Sequence, residues 1–388
     1  MIGYSQFAGR WGSRAQLARD TLDLKPTRGV PNWMLHVMDI PFLEEMTSHA
    51  PGDFARDPDT VYLAFQELVG ACFIDQYIPT NPLSMGEDGF GAGASRSATT
   101  GAKRIVLDGI EINSPEDVIE HMERIVFPRR AREIAGFNPD DPARIERMIA
   151  SECAIQSRVG TNILKAPYSD GFQSFPGFHY AAYGYQNYFA AYALFPEVME
   201  RDFAQQADFA ALRNRAAARA ILQGGLPRMI RLDHDMADSR GTLADIRSLD
   251  RIWFPHFARA IQPFLDAGIR LVWHCDGNLM PMVPRLIEAG VSGFQGFQYE
   301  DGMDYPAICR MSDRHGGPLL IIAGVSVTRT LPFGTKDDVV REMQWLVENG
   351  PKQGLFLGGS SSVVPNTNRE NIKTAIEGFR YYREHGRG

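Results

Sequence analysis

The residues best suited to chemistry lie in segment 270–278, whose sequence is RLVWHCDGN. An apolar run ends there in an imidazole, a thiol and a carboxylate, which is typical of a β-strand that delivers functional groups to a loop. Side chains alternate between the two faces of a strand, so His274 and Asp276 are expected on one face and Cys275 on the other. The spacing therefore predicts that Asp276 acts with His274, unless a bulge at Gly277 turns the thiol inward.

Four further segments share this pattern of a short apolar or glycine-containing run with a polar C-terminal end. They span 228–235, 292–300, 319–326 and 354–361. Helical stretches separate them, and strands that alternate with helices predict parallel βα units. Active sites of closed (β/α) barrels lie at the C-terminal ends of the strands. The acids that end the first two segments, Asp235 and Glu300, are therefore expected to converge with the residues of 270–278.

An imidazole and three carboxylates at one barrel mouth fit metal binding. Neutral imidazole and carboxylate oxygens bind zinc at about 2.0–2.2 Å and leave a position open for a substrate. The count of histidine and carboxylate groups favours this interpretation. It predicts zinc held by His274, Asp276 and Glu300, with Cys275 as a further ligand if the strand ends in a bulge.

Two interpretations without a metal remain open for the same region. Clustered carboxylates raise the pKa of one of their members, which suits general acid and base catalysis. The candidate catalytic residues are Asp235, Asp276 and His36, which lies near the end of the first predicted strand at 30–37. The other interpretation is a buried polar network that only braces the barrel.

Two other regions predict contacts with a substrate. Aromatic residues crowd between 168 and 192, too many for one regular apolar face. They form either the wall of a pocket for a flat organic molecule, with Tyr180 and Tyr183 as candidates, or a subunit interface. Ser326 and Arg329 follow the seventh predicted strand, where barrels often bind phosphate.

Length and composition predict one α/β domain, a (β/α)8 TIM barrel with an N-terminal extension and inserted loops. The chain has 388 residues, with 44% hydrophobic and 22% charged residues, which is close to ordinary globular usage. We expect one domain over 1–388, in which 1–28 is a leader and 80–113 is a loop and hairpin insertion. The Asp108-Gly109 pair predicts the turn of that hairpin.

Charge and hydropathy restrict the classes of partner. A net charge of -7 without a long basic cluster argues against nucleic acid or an anionic membrane surface. No apolar run approaches the roughly 20 residues that span a bilayer, and the N-terminus lacks the apolar centre of a signal peptide. The four scattered cysteines fit reduced thiols. We expect a cytoplasmic protein that acts on small molecules or protein partners, with a homodimer as the default assembly.

Several short motifs follow one another along most of the chain. They are Asp235-Met236-Ala237 with Gly241, Trp253-Phe254-Pro255, His274 to Asn278, Gly290, Glu300 with Gly302-Met303-Asp304, and Pro365 to Asn368 with Asn371. Together they resemble the uroporphyrinogen decarboxylase superfamily, which includes zinc-dependent methyltransferases that serve corrinoid proteins. The resemblance implies the same (β/α) barrel as the alternation of strands and helices.

Departures from the family pattern favour its methyltransferase branch. Decarboxylases carry an RQAGR motif after the first strand, whereas residues 36–39 here are HVMD, so the porphyrinogen site is expected to be absent. The methyltransferases resemble this chain through a histidine two residues before a second metal ligand. That ligand is usually cysteine and is Asp276 here, and the family's later cysteine is replaced within 358–360. The resemblance thus implies fewer thiolate ligands, with Glu300 and Asp235 offering oxygen ligands instead.

The expected function is a zinc-dependent methyltransferase that moves a methyl group between a small methylated compound and a corrinoid protein or similar acceptor. One alternative is a metal-free decarboxylase of a carboxylated small molecule other than uroporphyrinogen III, with Asp235 or His36 handling protons. A second alternative, from another class, is a non-catalytic barrel that binds a ligand or a corrinoid-carrying partner.

Overall fold

Parallel strands and helices alternate along the chain in a computed structural model that describes residues 3–80, 104–168 and 171–387, and the backbone of 85–86 and 89–90. The strands are β1 Phe73–Ile74, β2 Met85–Gly86, β3 Gly89–Phe90, β4 Val106–Leu107, β5 Ile110–Glu111, β6 Leu164–Lys165, β7 Met229–Asp233, β8 Ala237–Asp238, β9 Gly241–Thr242, β10 Arg270–His274, β11 Gly293–Gly296, β12 Leu320–Val325 and β13 Leu355–Gly359.

Along the chain, helices precede, separate and follow these strands. The α-helices are α1 Ser13–Leu22, α2 Ile40–Met46, α3 Asp53–Arg56, α4 Pro58–Val69, α5 Pro115–His121, α6 Phe127–Gly136, α7 Pro142–Val159, α8 Tyr180–Tyr183, α9 Tyr185–Leu194, α10 Pro196–Gly224, α11 Ile246–Ile252, α12 Phe254–Asp266, α13 Val283–Ala289, α14 Tyr305–Cys309, α15 Thr330–Phe333, α16 Lys336–Asn349 and α17 Arg369–His385. Short 3-10 helices span Tyr4–Phe7 and Tyr299–Asp301, and a π-helical turn spans Met122–Val126.

Five strands form a parallel sheet in the order β13-β12-β11-β10-β7, and β1 pairs in parallel with β6. Parallel bridges from Asn32 to Leu357 and from Trp33 to Phe73 place the first predicted strand between β13 and β1. Backbone pairing therefore runs continuously through eight parallel segments. The prediction of an α/β fold is confirmed. Closure into a barrel is not confirmed, because the described residues show no backbone pairing between β6 and β7.

The central strands are apolar because helices cover them. All six residues of β12 are buried, which is typical of parallel strands packed on both faces. The longest of these helices, α10, packs against α12 and α7. In α4, the Asp57 side chain accepts a hydrogen bond from the Thr60 backbone at 3.2 Å and caps the first turn.

The hairpin expected within 80–113 is formed by β4 and β5, which pair antiparallel. Asp108 and Gly109 make its turn, with φ of 49° and 84°. These left-handed values suit an Asp-Gly pair. Much of the expected insertion at 80–113 lies outside the described residues. Among the described helices, none has the length together with the apolar character that crossing a membrane requires.

Gly324 sets the close approach of β12 and β13. It pairs with Gly358, and a Cβ atom added at Gly324 would lie 2.1 Å from the backbone nitrogen of Ser360. The same nitrogen donates to the Val325 carbonyl at 3.0 Å. A side chain at Gly324 would push the backbone of Ser360, where the loop after β13 begins, away from β12.

We expect Gly324→Ala to lower the free energy of unfolding by at least about 2 kcal/mol, because overpacking against backbone atoms cannot be relieved by a rotamer change. Urea denaturation followed by circular dichroism measures the effect. Gly136→Ala is the matched control, since no atom lies within 4 Å of the added Cβ. Equal midpoints for the two variants would contradict the close contact between β12 and β13.

Candidate metal centre

His274 is the last residue of β10 and faces the mouth of the parallel array. Its register partners are Asp233 on β7 and Gln295 on β11. The side chain is nearly buried, and its Nε2 atom lies 4.0 Å from Oδ1 of Asp233 and 4.0 Å from Oδ1 of Asp276. In the described part of the chain, Nδ1 is buried and has no hydrogen-bond partner. The imidazole therefore presents Nε2 to two carboxylates.

Asp235, His274 and Asp276 offer ligand atoms that all lie within 4.8 Å of one another. Asp235 follows β7, and its Oδ1 accepts a hydrogen bond from the Asp276 backbone at 3.0 Å, which holds the loop after β7 against the loop after β10. One imidazole nitrogen and two carboxylate oxygens form a donor set that zinc and similar divalent ions accept. The residues present fit a metal ion.

The Asp276 carboxylate is held from two sides. Gln298 Nε2 donates to Oδ1 at 3.4 Å, and Ser361 Oγ donates to Oδ2 at 3.2 Å. Gln298 Oε1 also accepts from the Gly277 backbone at 2.6 Å. Gly277 has φ of +85°, and a Cβ there would lie 2.5 Å from the Asp238 carbonyl oxygen. The turn after β10 therefore requires glycine, and hydrogen bonds of this kind orient metal-ligating carboxylates.

Cys275 points away from this group, as the alternation of side chains along β10 predicts. Its Sγ atom accepts from the Met236 backbone at 3.3 Å and donates to the Asp276 carbonyl at 3.0 Å. Burial raises the pKa of the thiol well above its ordinary value, which disfavours the thiolate form that binds metals. The turn at Gly277 does not bring the thiol inward.

Glu300 lies outside the group because β11 ends at Gly296, four residues before it. Gly296 and Phe297 have φ of +108° and +73°, and these left-handed conformations end the strand. The Glu300 carboxylate instead accepts hydrogen bonds from Ser326 Oγ at 2.5 Å and from Thr328 Oγ1.

Ser326 and Arg329, the predicted substrate contacts after β12, belong to the surroundings of Glu300. Ser326 Oγ accepts from the Arg329 backbone at 3.1 Å, and Arg329 Nη2 donates to the Glu300 carbonyl at 3.2 Å. These bonds hold the turn after β11 against the turn after β12. The structure thus places both residues in a loop-bracing network.

The two tyrosines predicted to bind substrate have different environments. Tyr180 donates from its hydroxyl to the Asp235 carbonyl at 3.1 Å, and its ring stacks on His234 with centroids 6.0 Å apart. Tyr183 is buried in the core, with its hydroxyl 2.8 Å from His121 Nδ1. Only Tyr180 therefore lies beside the candidate metal centre.

His36 lies at the mouth next to the loop after β13. Its Nδ1 atom is 2.8 Å from Ser362 Oγ, and its buried Nε2 atom has no hydrogen-bond partner among the described residues. Burial and, secondarily, the charge of Arg231 lower the pKa of His36 to about 4. The imidazole is therefore neutral near pH 7.

Sequence reasoning overlooked a buried ion cluster centred on Arg231. This side chain is 1% exposed, and its guanidinium pairs with Asp75 through Nε and with Asp233 Oδ2 through Nη1 at 3.0 Å. Burial opposes ionisation of Asp233, but the charges of His274 and Arg231 lower the pKa of Asp233 below its ordinary value. The signal was present in the sequence, since residues 231, 233 and 235 alternate along one strand and share one face.

A cavity of about 390 Å³ has Asp233 in its lining, together with residues of the 173–175 loop, α6 and α10. Its lining includes Arg130, Arg213, Gln173, Ser174 and Gln206, and the ring of Phe175. This volume suits a small ligand. The polar lining indicates a polar molecule.

Comparison with known proteins supports the fold. No protein-family model and no curated protein matches this sequence. A solved structure of a methyltransferase from Methanosarcina mazei is similar with a TM-score of 0.56 and 15% sequence identity, over 95% of this chain and 98% of that chain. A B12-independent methionine synthase from Shewanella sp. W3-18-1, in complex with selenomethionine, has a TM-score of 0.32 and 11% identity, over 62% of this chain and 65% of that chain, and this score carries no structural argument. The resemblance inferred from the sequence is confirmed at the level of the fold, which this chain shares with the Methanosarcina mazei methyltransferase.

The two histidines at the strand ends, His36 and His234, predict a loss of stability in mild acid. Both have a pKa of about 4 in the folded chain, because burial disfavours the charged ring, whereas the ordinary value is 6.5. The unfolded chain therefore binds more protons as the pH falls from 6.5 to 4, and stability falls in that window. We expect each histidine to account for about 2 kcal/mol of the decrease between pH 7 and pH 5.

Urea denaturation of wild type and His36→Gln at both pH values measures this contribution. The variant is expected to lose about 2 kcal/mol less than wild type over the same interval. Replacement of the exposed His315 by glutamine serves as the control. An identical pH dependence of His36→Gln and wild type would contradict a buried neutral imidazole at this position.

Proposed function

We propose that this chain is a metal-dependent methyltransferase, with zinc as the metal, that moves a methyl group between a small methylated compound and a corrinoid protein or similar acceptor. The observation that carries the proposal is the convergence of Asp235, His274 and Asp276, whose ligand atoms lie within 4.8 Å of one another after β7 and β10. The fold shared with a methyltransferase from Methanosarcina mazei adds support.

The metal would be held by Nε2 of His274 and by the carboxylates of Asp235 and Asp276. A zinc ion bound there supplies Lewis acidity toward an oxygen or nitrogen atom of the methyl donor or acceptor. Gln298 and Ser361 fix the Asp276 carboxylate in its orientation. Burial, with the nearby charges of Asp276 and Asp233, raises the pKa of Asp235, while the charge of His274 opposes this. Protonation and metal binding therefore compete at Asp235.

Two further residues are assigned to the small-molecule substrate. Tyr180 donates from its hydroxyl to the Asp235 carbonyl, and its ring packs on His234 beside the metal ligands. His36, neutral near pH 7, has a buried Nε2 atom with no hydrogen-bond partner among the described residues and is assigned to a hydrogen bond with the substrate. The cavity beside Asp233 gives the substrate room.

The eight parallel segments are proposed to form one (β/α)8 barrel domain over 1–388, with 1–28 as a leader and 80–113 as an insertion. Side chains support closure where backbone pairing is not seen. Tyr168, which follows β6, donates to Asp233 at the end of β7 at 2.9 Å, and Gln76, which follows β1, donates to the same carboxylate at 3.2 Å. The first contact links β6 to β7 at the mouth, and the second links β1 to β7 across it.

Metal content is expected to depend on His274 and Asp276 and not on Cys275. Protein purified without chelator should contain one metal ion per chain by elemental analysis, and His274→Ala and Asp276→Asn should lose it. Cys275→Ser should retain it, because the thiol makes only backbone contacts on the opposite face. Melting temperatures of all variants serve as the folding control. Loss of metal only in Cys275→Ser would reverse the assignment, and metal-free wild type would refute it.

Methyl transfer is expected to require the same residues. With free cob(I)alamin as acceptor and a panel of small O-methyl and N-methyl compounds as donors, methylcobalamin formation followed by absorbance should be abolished by chelators and restored by zinc. Asp276→Asn should reduce the rate by at least about 100-fold, and Ser361→Ala should weaken metal affinity by about 10-fold because it orients the ligand. Release of carbon dioxide from a carboxylate panel, unaffected by chelators, would instead indicate a decarboxylase.

A further inference from the structure

Asp233 lies as close to His274 as Asp276 does: each has its Oδ1 atom 4.0 Å from Nε2 of the ring. It is the register partner of His274 across β7 and β10. We propose that Asp233 is a fourth protein ligand of the metal bound by Asp235, His274 and Asp276, and that Arg231 positions it. This inference rests on the proposed metal-dependent function and names the donor set and substrate class of that centre.

The separations around Nε2 fit ligands that share an ion. A distance of 4.0 Å to each carboxylate exceeds the roughly 3.2 Å limit of a good N–H···O hydrogen bond. Two ligands on one tetrahedral ion with bonds of about 2.1 Å lie about 3.4 Å apart, so each of these two pairs must close by about 0.6 Å. Asp233 is not in the group whose ligand atoms all lie within 4.8 Å of one another, so its carboxylate must also move toward Asp235 and Asp276 when the ion binds. Residue His274 is 9% exposed, and neither of its ring nitrogens makes a hydrogen bond within the described ranges.

The Asp233 carboxylate is oriented so that one oxygen remains available. Its Oδ2 atom accepts from Tyr168 at 2.9 Å, from Arg231 Nη1 at 3.0 Å and from Gln76 at 3.2 Å. Oδ1 accepts no hydrogen bond from any described residue and faces His274. Three donors on one oxygen hold a ligating carboxylate in the way that surrounding hydrogen bonds hold ligands in metal proteins.

Charge balance points to the same conclusion. Asp233, Asp235 and Asp276 bring three carboxylates to one imidazole, while the charge of Arg231 is already matched by Asp75. Like charges this close repel one another. A divalent cation offsets two of the three charges, so the cluster is stabilised by the ion that it binds.

Three carboxylates and one imidazole make a hard, oxygen-rich centre with no thiolate. A divalent ion bound by them carries no net positive charge, which disfavours an anionic, soft thiolate as a further ligand. The centre therefore takes substrates that bind through a neutral oxygen or nitrogen atom, such as an alcohol, an ether or an amine, and discriminates against thiols.

Binding of Co²⁺ alone tests the ligand assignment, because its visible absorption reports the number and type of ligands independently of activity. Asp233→Asn is expected to weaken Co²⁺ and Zn²⁺ binding by at least about 100-fold and to change the Co²⁺ spectrum. Tyr168→Phe, which removes one donor to Oδ2, should weaken binding by about 10-fold and leave the spectrum unchanged. Asp238→Asn is the matched control, since that carboxylate pairs with Arg240.

The outcomes separate this inference from the proposed function. Wild-type affinity and spectrum in Asp233→Asn would overturn the fourth ligand and leave the three-residue centre standing. If that variant does not fold, unchanged affinity in Tyr168→Phe would overturn the inference by itself. Wild type that binds no Co²⁺ would refute the metal-dependent function as well.

The substrate class has its own measurement. Addition of 2-mercaptoethanol to the Co²⁺ form of wild type should produce no thiolate-to-cobalt absorption band, whereas Asp233→Asn, which has one negative charge fewer, should show the band at high metal concentration. A strong band in wild type would overturn the exclusion of thiols.

Discussion

The buried guanidinium of Arg231 is the interaction on which the mouth of this fold depends. It joins Asp75, after β1, to Asp233, at the end of β7, across the interior of the strand array. Burying three charges is unfavourable unless each is paired, and removing one partner of such a cluster typically costs about 3–5 kcal/mol. Arg231 also lies 5.1 Å from the ring of Tyr168 and 5.5 Å from that of Trp33, so its delocalised charge is stabilised by aromatic faces as well. The position of Asp233, and through it the environment of His274, follows from this cluster.

The alternation of side chains along a strand predicted which neighbour of His274 lies close to its ring. Because β10 is extended to His274, the period of two correctly placed Asp276 beside that ring and Cys275 behind it. The same rule applied to Glu300 failed, since it assumed that β11 continues to residue 300. Two consecutive left-handed residues at 296 and 297 end that strand, and a phenylalanine in this conformation carries no local sequence signal.

Contacts between distant segments account for the rest of what the sequence did not reveal. Tyr180 and Tyr183 lie in one helical turn, yet one contacts Asp235 and the other lies against His121. Only the packing of α8 determines which ring faces the mouth. Strand order was accessible from the rhythm of strands and helices, whereas the lack of backbone pairing between β6 and β7 among the described residues carries no signal in that rhythm. Such tertiary effects override local pattern.

The join between β6 and β7 has a different mechanical character from the rest of the array. Elsewhere neighbouring segments are tied by successive backbone hydrogen bonds. Here, among the described residues, the Tyr168 side chain after β6 donates to Asp233 at the end of β7. The same carboxylate lines a cavity. The width of the mouth on this flank therefore depends on two side chains and not on a backbone ladder, so substitutions at 168 or 233 can alter the cavity while the paired strands keep their register.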